Sequence, residues 1–240
     1  MSVAPLKWSP LTIYRMPERG DWYVIGADVA EGLSGGDWCA AEIFSCRREE
    51  QVAEYMARIS PDAFGAELFL MGTLYNDALL GVEANSIGHT TLTVLVQEGY
   101  PNIFYRERID PLERRVSTKR LGWYTSGGRN GTKGPAVRVL GQMLRRRRLV
   151  LHSSRLVQQL GQYQSHRTDA GNEQFEAGEG HDDLVSAAFI AANLMTSPQC
   201  QPRDAFDPSL EGFEERMVEA GVLRAAPQRG RANLEDWCQS

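Results

Sequence analysis

The apolar run Trp22-Tyr23-Val24-Ile25-Gly26-Ala27 ends on Asp28 and opens a Gly-rich turn that closes at Gly35-Gly36-Asp37. A carboxylate at the end of a buried strand is costly unless something pairs with it. Two more apolar segments carry acids at their ends: Leu79-Leu80-Gly81-Val82 runs into Glu83, and Asp182-Asp183 opens the apolar helical pattern from Leu184 to Met195. If the fold brings these ends together, the acids would cage a hard divalent cation. Asp and Glu, rather than Cys and His, are the ligand set that Mg²⁺ and Mn²⁺ prefer. Two such ions bridged by a shared carboxylate suit attack of water on a phosphodiester, one preparing the nucleophile and the other stabilising the departing oxygen. On this reading Asp28 is the shared ligand, Glu83 serves one ion, and Asp182 or Asp183 serves the other. Asp37 and His181 are supporting candidates. Each acid also has a plainer use: Asp182 and Asp183 suit a helix N-cap and its dipole, Glu83 a solvated strand end, and Glu31 a polar turn.

The elements that must position these groups follow from periodicity. Trp22 to Val29 reads as a strand with an antiparallel hairpin partner at Trp38 to Phe44, and Gln51 to Ile59 as a third strand. Ser60-Pro61 starts a helix, and Leu79 to Glu83 is a short continuous apolar strand of the kind buried on both faces beside a parallel neighbour. A helix from Gly88 to Gly99, a strand at Ile103 to Tyr105, a helix from Pro135 to Arg146, a short strand at Leu149 to Leu151 and a helix from Leu156 to Tyr163 follow. Arg167 to Gly180 is polar and glycine-bearing, a loop or hairpin. The helix from Asp183 is apolar around nearly its whole circumference and must be buried against the sheet.

At 240 residues, 42% hydrophobic and 24% charged, the chain can build one ordinary core. The reading is a lead-in at 1–20, a catalytic domain at 21–197 and an appendage at 198–240. No stretch is long and apolar enough to span a membrane, and no secretory signal is legible. Cys39, Cys46, Cys200 and Cys238 form no C-x-x-C pair, so neither a zinc knuckle nor a disulfide framework is expected. The net charge of −5 conceals an asymmetry: Asp110 to Arg155 holds twelve Lys or Arg against two acids, a balance of +10 that leaves the rest at −15. Such a block could face phosphates, with Lys119, Arg120, Arg129 and Lys133 in the loops nearest the acids, while Arg145 to Arg148 could instead answer a helix dipole.

The order of strand-Asp, strand-Glu and His-Asp-Asp opening a buried helix resembles the nuclease domain of the large terminase subunit of tailed bacteriophages, within the ribonuclease-H-like (RuvC-like) superfamily. The residues that carry the resemblance are Gly26-Ala27-Asp28-Val29-Ala30-Glu31-Gly32 with Gly35-Gly36-Asp37, then Val82-Glu83-Ala84-Asn85, and Gly180-His181-Asp182-Asp183-Leu184-Val185-Ser186-Ala187. Between the last two, Gly122-Trp123-Tyr124-Thr125, Lys133 and the helix through Leu144 are also similar. The resemblance implies an α/β fold, a ribonuclease-H-like mixed central β-sheet flanked by helices. It also implies a metal-dependent endonuclease, using two Mg²⁺ or Mn²⁺ ions, that cuts concatemeric double-stranded viral DNA during packaging. The implied catalytic and metal residues are Asp28, Glu83, Asp182 and Asp183. Double-stranded DNA, a portal protein, a small terminase subunit and an ATPase motor are the implied partners, in the host cell cytoplasm and away from any membrane.

Two departures stand out. Many relatives have a further Asp three residues after the pair, where this chain has Ser186. The sequence also has no G-x-x-x-x-G-K-[ST] phosphate loop, so the motor is expected either in another part of a longer protein or in a separate chain. A junction resolvase, a ribonuclease H, or a non-catalytic module binding DNA or the portal are the alternative readings.

Overall fold

The computed structural model describes residues 6–8, 10–31, 37–109, 116–126, 131–167, 173–177 and 181–202; at 6–8, 108–109, 116–118, 164–167 and 173–177 it describes the backbone alone. The elements in chain order are β1 (Leu6–Trp8), β2 (Leu11–Ile13), β3 (Tyr23–Asp28), β4 (Cys39–Ser45), β5 (Glu50–Ala57), α1 (Pro61–Leu74), β6 (Leu79–Val82), α2 (Gly88–Gln97), β7 (Tyr105–Ile109), β8 (Val116–Leu121), α3 (Lys133–Arg145), α4 (Ser154–Gln162), β9 (Tyr163–Arg167), β10 (Glu173–Ala177) and α5 (Asp183–Met195). A six-stranded sheet runs in the order β1-β2-β5-β4-β3-β6, antiparallel throughout except where β6 lies parallel to β3. Two separate hairpins, β7–β8 and β9–β10, stand outside it.

Alternation along the strands sorts the core into two layers. Tyr23, Ile25 and Ala27 of β3, with Leu80 and Val82 of β6, join the core that α1 and α2 cover. Val24 and Leu79 belong to the opposite core, with α3, α4 and α5. Because side chains alternate, Gly26 and Asp28 share the face of Val24, and Gly81 and Glu83 share that of Leu79. Both strands therefore aim their terminal acids at α5. Burial on both faces explains why β6, and β3 up to Asp28, are apolar runs without polar alternation.

Helix α5 lies directly against β3 and β4. The contact is tight at Gly26, where a Cβ would sit 2.1 Å from the Ala187 carbonyl oxygen and 2.4 Å from the Ala191 nitrogen. Only hydrogen fits there. Asn193 ties α5 to α3 by donating from Nδ2 to the Ala136 carbonyl at 3.0 Å. At the other end of α5, the first-turn N–H of Leu184 donates to Gln159 Oε1 of α4 at 3.1 Å, satisfying a group that has no partner within the helix.

The expected elements from Trp22 to Met195 are present, with differences where segments are short. Residues 1–20 gave no strand signal, yet β1 and β2 extend the sheet by pairing onto β5, since three-residue strands are too short to show a period. The expected strands at Ile103 and Leu149–Leu151 reduce to single bridges, Leu80 with Ile103 and Glu50 with Val150, beside the β7 that starts at Tyr105. The polar stretch after Tyr163 begins as the β9–β10 hairpin. Most of the appendage, from residue 203 on, lies outside the described residues, and no helix among those described is long and apolar enough to cross a membrane.

A buried acidic pair sits under α4, away from the sequence-predicted site. Glu42 and Glu54 are cross-strand partners with no exposed surface. Glu54 is paired with Arg155 (Nε to Oε1, 2.8 Å) and accepts from the Ser153 hydroxyl. Glu42 accepts from Gln51 Nε2 at 2.6 Å, and its Oε1 has no hydrogen-bond partner among the described residues. Burial first, and Glu54 second, push the Glu42 carboxyl well above its ordinary value of 4.5. The folded state thus keeps a proton that the unfolded state releases. The stability tied to this group is complete below the ordinary carboxylate range and is lost as pH rises through the raised value. Glu42→Gln, which mimics the protonated form, is expected to match the native protein near pH 5 and to exceed it by about 1 kcal/mol at pH 8, the scale of one mismatched buried polar group. Chemical denaturation at the two pH values checks this; equal differences at both would remove Glu42 as the titrating group.

Candidate metal centre

The parallel register of β3 and β6 pairs Ala27 with Val82, so one step further Asp28 and Glu83 stand side by side at the carboxyl ends of adjacent strands. The Glu83 N–H donates to the Ala27 carbonyl at 3.0 Å, and Trp123 bridges to Glu83 on its other side. Glu83 is thereby locked in the sheet rather than left at a frayed end. Gly88 also lies tight against its backbone, where a Cβ would meet the Glu83 carbonyl oxygen at 1.8 Å. The N-terminus of α5 faces both strand ends and brings in Asp182 and Asp183.

These side chains line one cleft of about 550 Å³, together with Asp37, His181 and Lys133. Of the ten sequence-predicted site residues, those seven converge. Lys119 and Arg120 lie on β8, outside the cleft lining; Lys119 instead pairs with Glu107 at 3.8 Å and covers the Tyr105 ring. The phosphate-facing role expected for these two therefore has no support from the cleft itself. Arg129 lies outside the described residues.

The electrostatics are those of crowded acids. Burial, then the neighbouring Glu83 carboxyl, then Asp183 and Asp182 push the Asp28 carboxyl well above the usual carboxylate range. Asp183 is only 6% exposed. Burial raises its carboxyl to about 6, with Asp37 and Asp182 adding to the rise and His181 opposing it. Its Oδ2 is buried with no hydrogen-bond partner among the described residues, and His181 Nδ1 lies 3.6 Å from it. The same nitrogen is 3.6 Å from Asp37 Oδ1, and the three side chains can direct ligand atoms to within 4.8 Å of one another.

Asp182 differs from its neighbour. It occupies the N-cap position of α5, but its carboxylate makes no cap hydrogen bond, so the plain capping role open to it from sequence is not the one it has. It reaches toward Lys133 Nζ at 3.5 Å. An orphaned buried oxygen on Asp183, a like-charge cluster and an all-oxygen first choice of donors fit a hard divalent cation. Among the described residues, no Cys lines the cleft.

Several neighbours have no site role in the sequence reading, although Asn85, Thr125 and Ser186 stand within its motifs. Asn85 Oδ1 accepts from the N–H groups of Ile87 and Gly88 at 3.1 and 2.7 Å, shaping the turn from Glu83 into α2. An Asn two residues beyond the acid was the available signal. Thr125 lines the cleft with a buried hydroxyl that has no partner among the described residues. Trp38 forms part of the wall, with the Arg58 guanidinium 4.3 Å above its ring. Ser186, one turn into α5, also lines the cleft at the place where a further acid was noted as missing.

No protein-family profile matches the sequence, and no curated protein is significantly similar to it. Solved structures do match in three dimensions. The large terminase nuclease from thermophilic phage G20c with bound magnesium superposes with a TM-score of 0.62 at 16% identity, covering 79% of this chain and 89% of that one. The fold is that of a large terminase nuclease domain. The cobalt-bound form of the same nuclease gives 0.61 at 16% identity over 79% and 89% of the two chains. The Thermus phage P74-26 large terminase nuclease domain gives 0.59 at 16% identity over 79% and 87%. The ribonuclease-H-like α/β expectation is met at the level of the terminase-nuclease fold, and the cleft described above is a feature of this chain's own residues within it.

Proposed function

We propose that the chain is a metal-dependent endonuclease that cuts double-stranded viral DNA concatemers during genome packaging. The observation that carries this reading is the convergence of Asp28, Glu83 and Asp183 from two parallel strand ends and a helix start into one cleft, on a fold shared with metal-bound terminase nucleases. Asp28, between its neighbours, would be the shared ligand, with Glu83 serving one ion and the buried Asp183 the other. When bound, a pair of Mg²⁺ or Mn²⁺ ions supplies the Lewis-acid charge and the activated water that phosphodiester hydrolysis needs.

The chain's own residues supply placement. Asp182 holds Lys133 at the cleft, and the lysine side chain, 27% exposed, is positioned to take a phosphate oxygen. Thr125 offers a further hydroxyl donor from the same wall. His181 stands between Asp37 and Asp183 and orients the carboxylate pair. A portal protein, a small terminase subunit and an ATPase motor complete the proposed packaging assembly in the host cytoplasm.

Two measurements test the proposal. Mn²⁺ at about a hundred times its Kd is expected to raise the Tm by about 5–10 °C and to convert supercoiled plasmid to nicked and linear forms, both reversed by a chelator. No saturable shift with any divalent ion would remove the metal centre. Cleavage confined to branched DNA or to RNA–DNA hybrid would instead assign the resolvase or ribonuclease H reading. Lys133→Ala is expected to weaken duplex binding about tenfold and to flatten the log-log salt slope by about one, the signature of one lost phosphate contact. Titration of a labelled duplex at several salt concentrations reads this; an unchanged slope would take Lys133 off the DNA path.

A further inference from the structure

We propose that Cys46 and Cys200 are a disulfide-forming pair that staples the segment after α5 to the end of β4. The two residues are 154 positions apart in sequence, yet their sulfurs are 3.0 Å from each other. That is about 1 Å longer than the ~2.05 Å of a disulfide bond, so closure needs only a small movement. Both thiols are half-buried and neither is bonded in the structure.

Their backbones are held in place independently of the sulfurs. The Cys46 N–H donates to the Trp22 carbonyl at 2.9 Å, and the Cys200 N–H to the Ser197 carbonyl at 3.0 Å. Gln199, next to Cys200, bonds both the N–H and the carbonyl of Tyr105, at 3.2 and 2.8 Å. The segment is thus docked before any covalent bond forms, and the contact is not a chance encounter of free ends. Cys39 is no competitor, because it is buried with its sulfur toward the Ala30 and Ile59 carbonyls. The pair lies outside the carboxylate cleft, so the inference does not depend on the nuclease reading.

The chemistry is thiol–disulfide exchange with a small-molecule disulfide as oxidant. Cys200 is the attacking thiol: the hydrogen bond from Cys46 lowers its pKa, burial opposes this, and a hydrogen bond with Trp22 lowers it further. The Cys200 thiolate attacks one sulfur of the oxidant and releases one small thiol, giving a mixed disulfide. Cys46 then displaces the second small thiol and forms the Cys46–Cys200 bond. Two protein thiols are oxidised, one small disulfide is reduced to two thiols, and the two S–H protons leave with them.

The test treats the full chain with glutathione disulfide in the presence of a metal chelator, followed by alkylation and mass spectrometry. The expected product has lost two alkylatable thiols and about 2 Da, with one cross-linked peptide joining Cys46 to Cys200. The Tm should rise by about 10 °C, because the bond closes a long loop, and dithiothreitol should reverse the rise. Cys238→Ser should leave the product unchanged, whereas Cys46→Ser and Cys200→Ser should each stop at a mixed glutathione disulfide. The readout on the unsubstituted chain stands even if a variant folds poorly. Four alkylatable thiols after full oxidation, glutathione adducts without an internal bond, or a cross-link through Cys39 or Cys238 would each overturn the assignment.

Discussion

Asp28→Asn is expected to abolish cleavage while making the metal-free protein more heat-stable. The two effects have one cause. Asp28 ends β3 beside Glu83 and faces Asp183 and Asp182, and burial together with those neighbours disfavours its charge. Without a cation, the cluster is a set of like charges at close range, each contact worth about 1–4 kcal/mol of repulsion between bulk-water and protein-surface dielectric values. Asn keeps the shape and removes one charge. Stability should rise by about 1–2 kcal/mol, or about 4 °C in Tm. The same change takes away the proposed shared ligand, and losing several kcal/mol of charge stabilisation corresponds to a fall of about a thousandfold or more in rate. The Tm gain with Mn²⁺ should disappear as well. Cleavage within tenfold of the native rate, or an undiminished Mn²⁺ shift, would place the cation elsewhere. A simple loss of fold would lower both quantities, so the opposite movement of stability and activity separates a metal ligand from a structural acid.

Gly26→Ala should cost about 3 kcal/mol or more and silence the site without touching any acid. The added methyl would sit 2.1 Å from the Ala187 carbonyl oxygen and 2.4 Å from the Ala191 nitrogen, both backbone atoms of α5 that cannot rotate away. Overpacking against backbone lies at the severe end of its usual range. The helix must lift from β3, and Asp182 and Asp183 at its start must move with it. A misplacement of about 1 Å in a reacting constellation can cost about a hundredfold in rate. The control is Gly161→Ala in α4, where a Cβ meets nothing within 4 Å. There the change should be neutral or stabilising by up to about 1 kcal/mol, from helix propensity alone. Thermal melts and plasmid cleavage on the two variants give the comparison. A Gly26→Ala protein within about 1 kcal/mol of the native one would show that the α5–β3 contact is looser than the structure has it.

The physical link between these predictions is that one face of the sheet does two jobs. Val24, Gly26 and Asp28 point the same way along β3, as do Leu79, Gly81 and Glu83 along β6, so the row that packs α5 ends in the row that carries the acids. Packing and chemistry are therefore coupled through a single helix. The Glu42–Glu54 pair, on the α4 part of the same layer, shows buried acids held by neighbouring side chains: Gln51, Ser153 and Arg155 supply donors there, and only Glu42 Oε1 of the four carboxylate oxygens is orphaned among the described residues. Among the described residues, Asp183 Oδ2 has no hydrogen-bond partner.

Much of the site was legible in sequence because its signals are local. An apolar run that stops on an acid and a pair of acids opening a wholly apolar helix are patterns a few residues long, and alternation or helical period reads them directly. The order of those patterns indicated that strand ends and a helix start should meet. Choosing between Asp182 and Asp183 was not legible, since adjacent residues share every local signal and differ only in what each meets: Lys133 for one, a buried cleft wall for the other. Charge density along the chain could not separate Lys133, at the cleft, from Lys119 and Arg120, on a hairpin outside its lining.

By itself, then, the sequence determined which side chains could do chemistry and which elements would carry them, because secondary structure answers to neighbours in the chain. Tertiary structure alone decided the close passage of α5 over Gly26, the burial of Glu42 against Glu54, the meeting of Cys46 with Cys200, and the burial of Asp183 while Asp182 meets Lys133. Those contacts join residues from 12 to more than a hundred positions apart, and only the packing of whole layers brings such atoms within reach of each other.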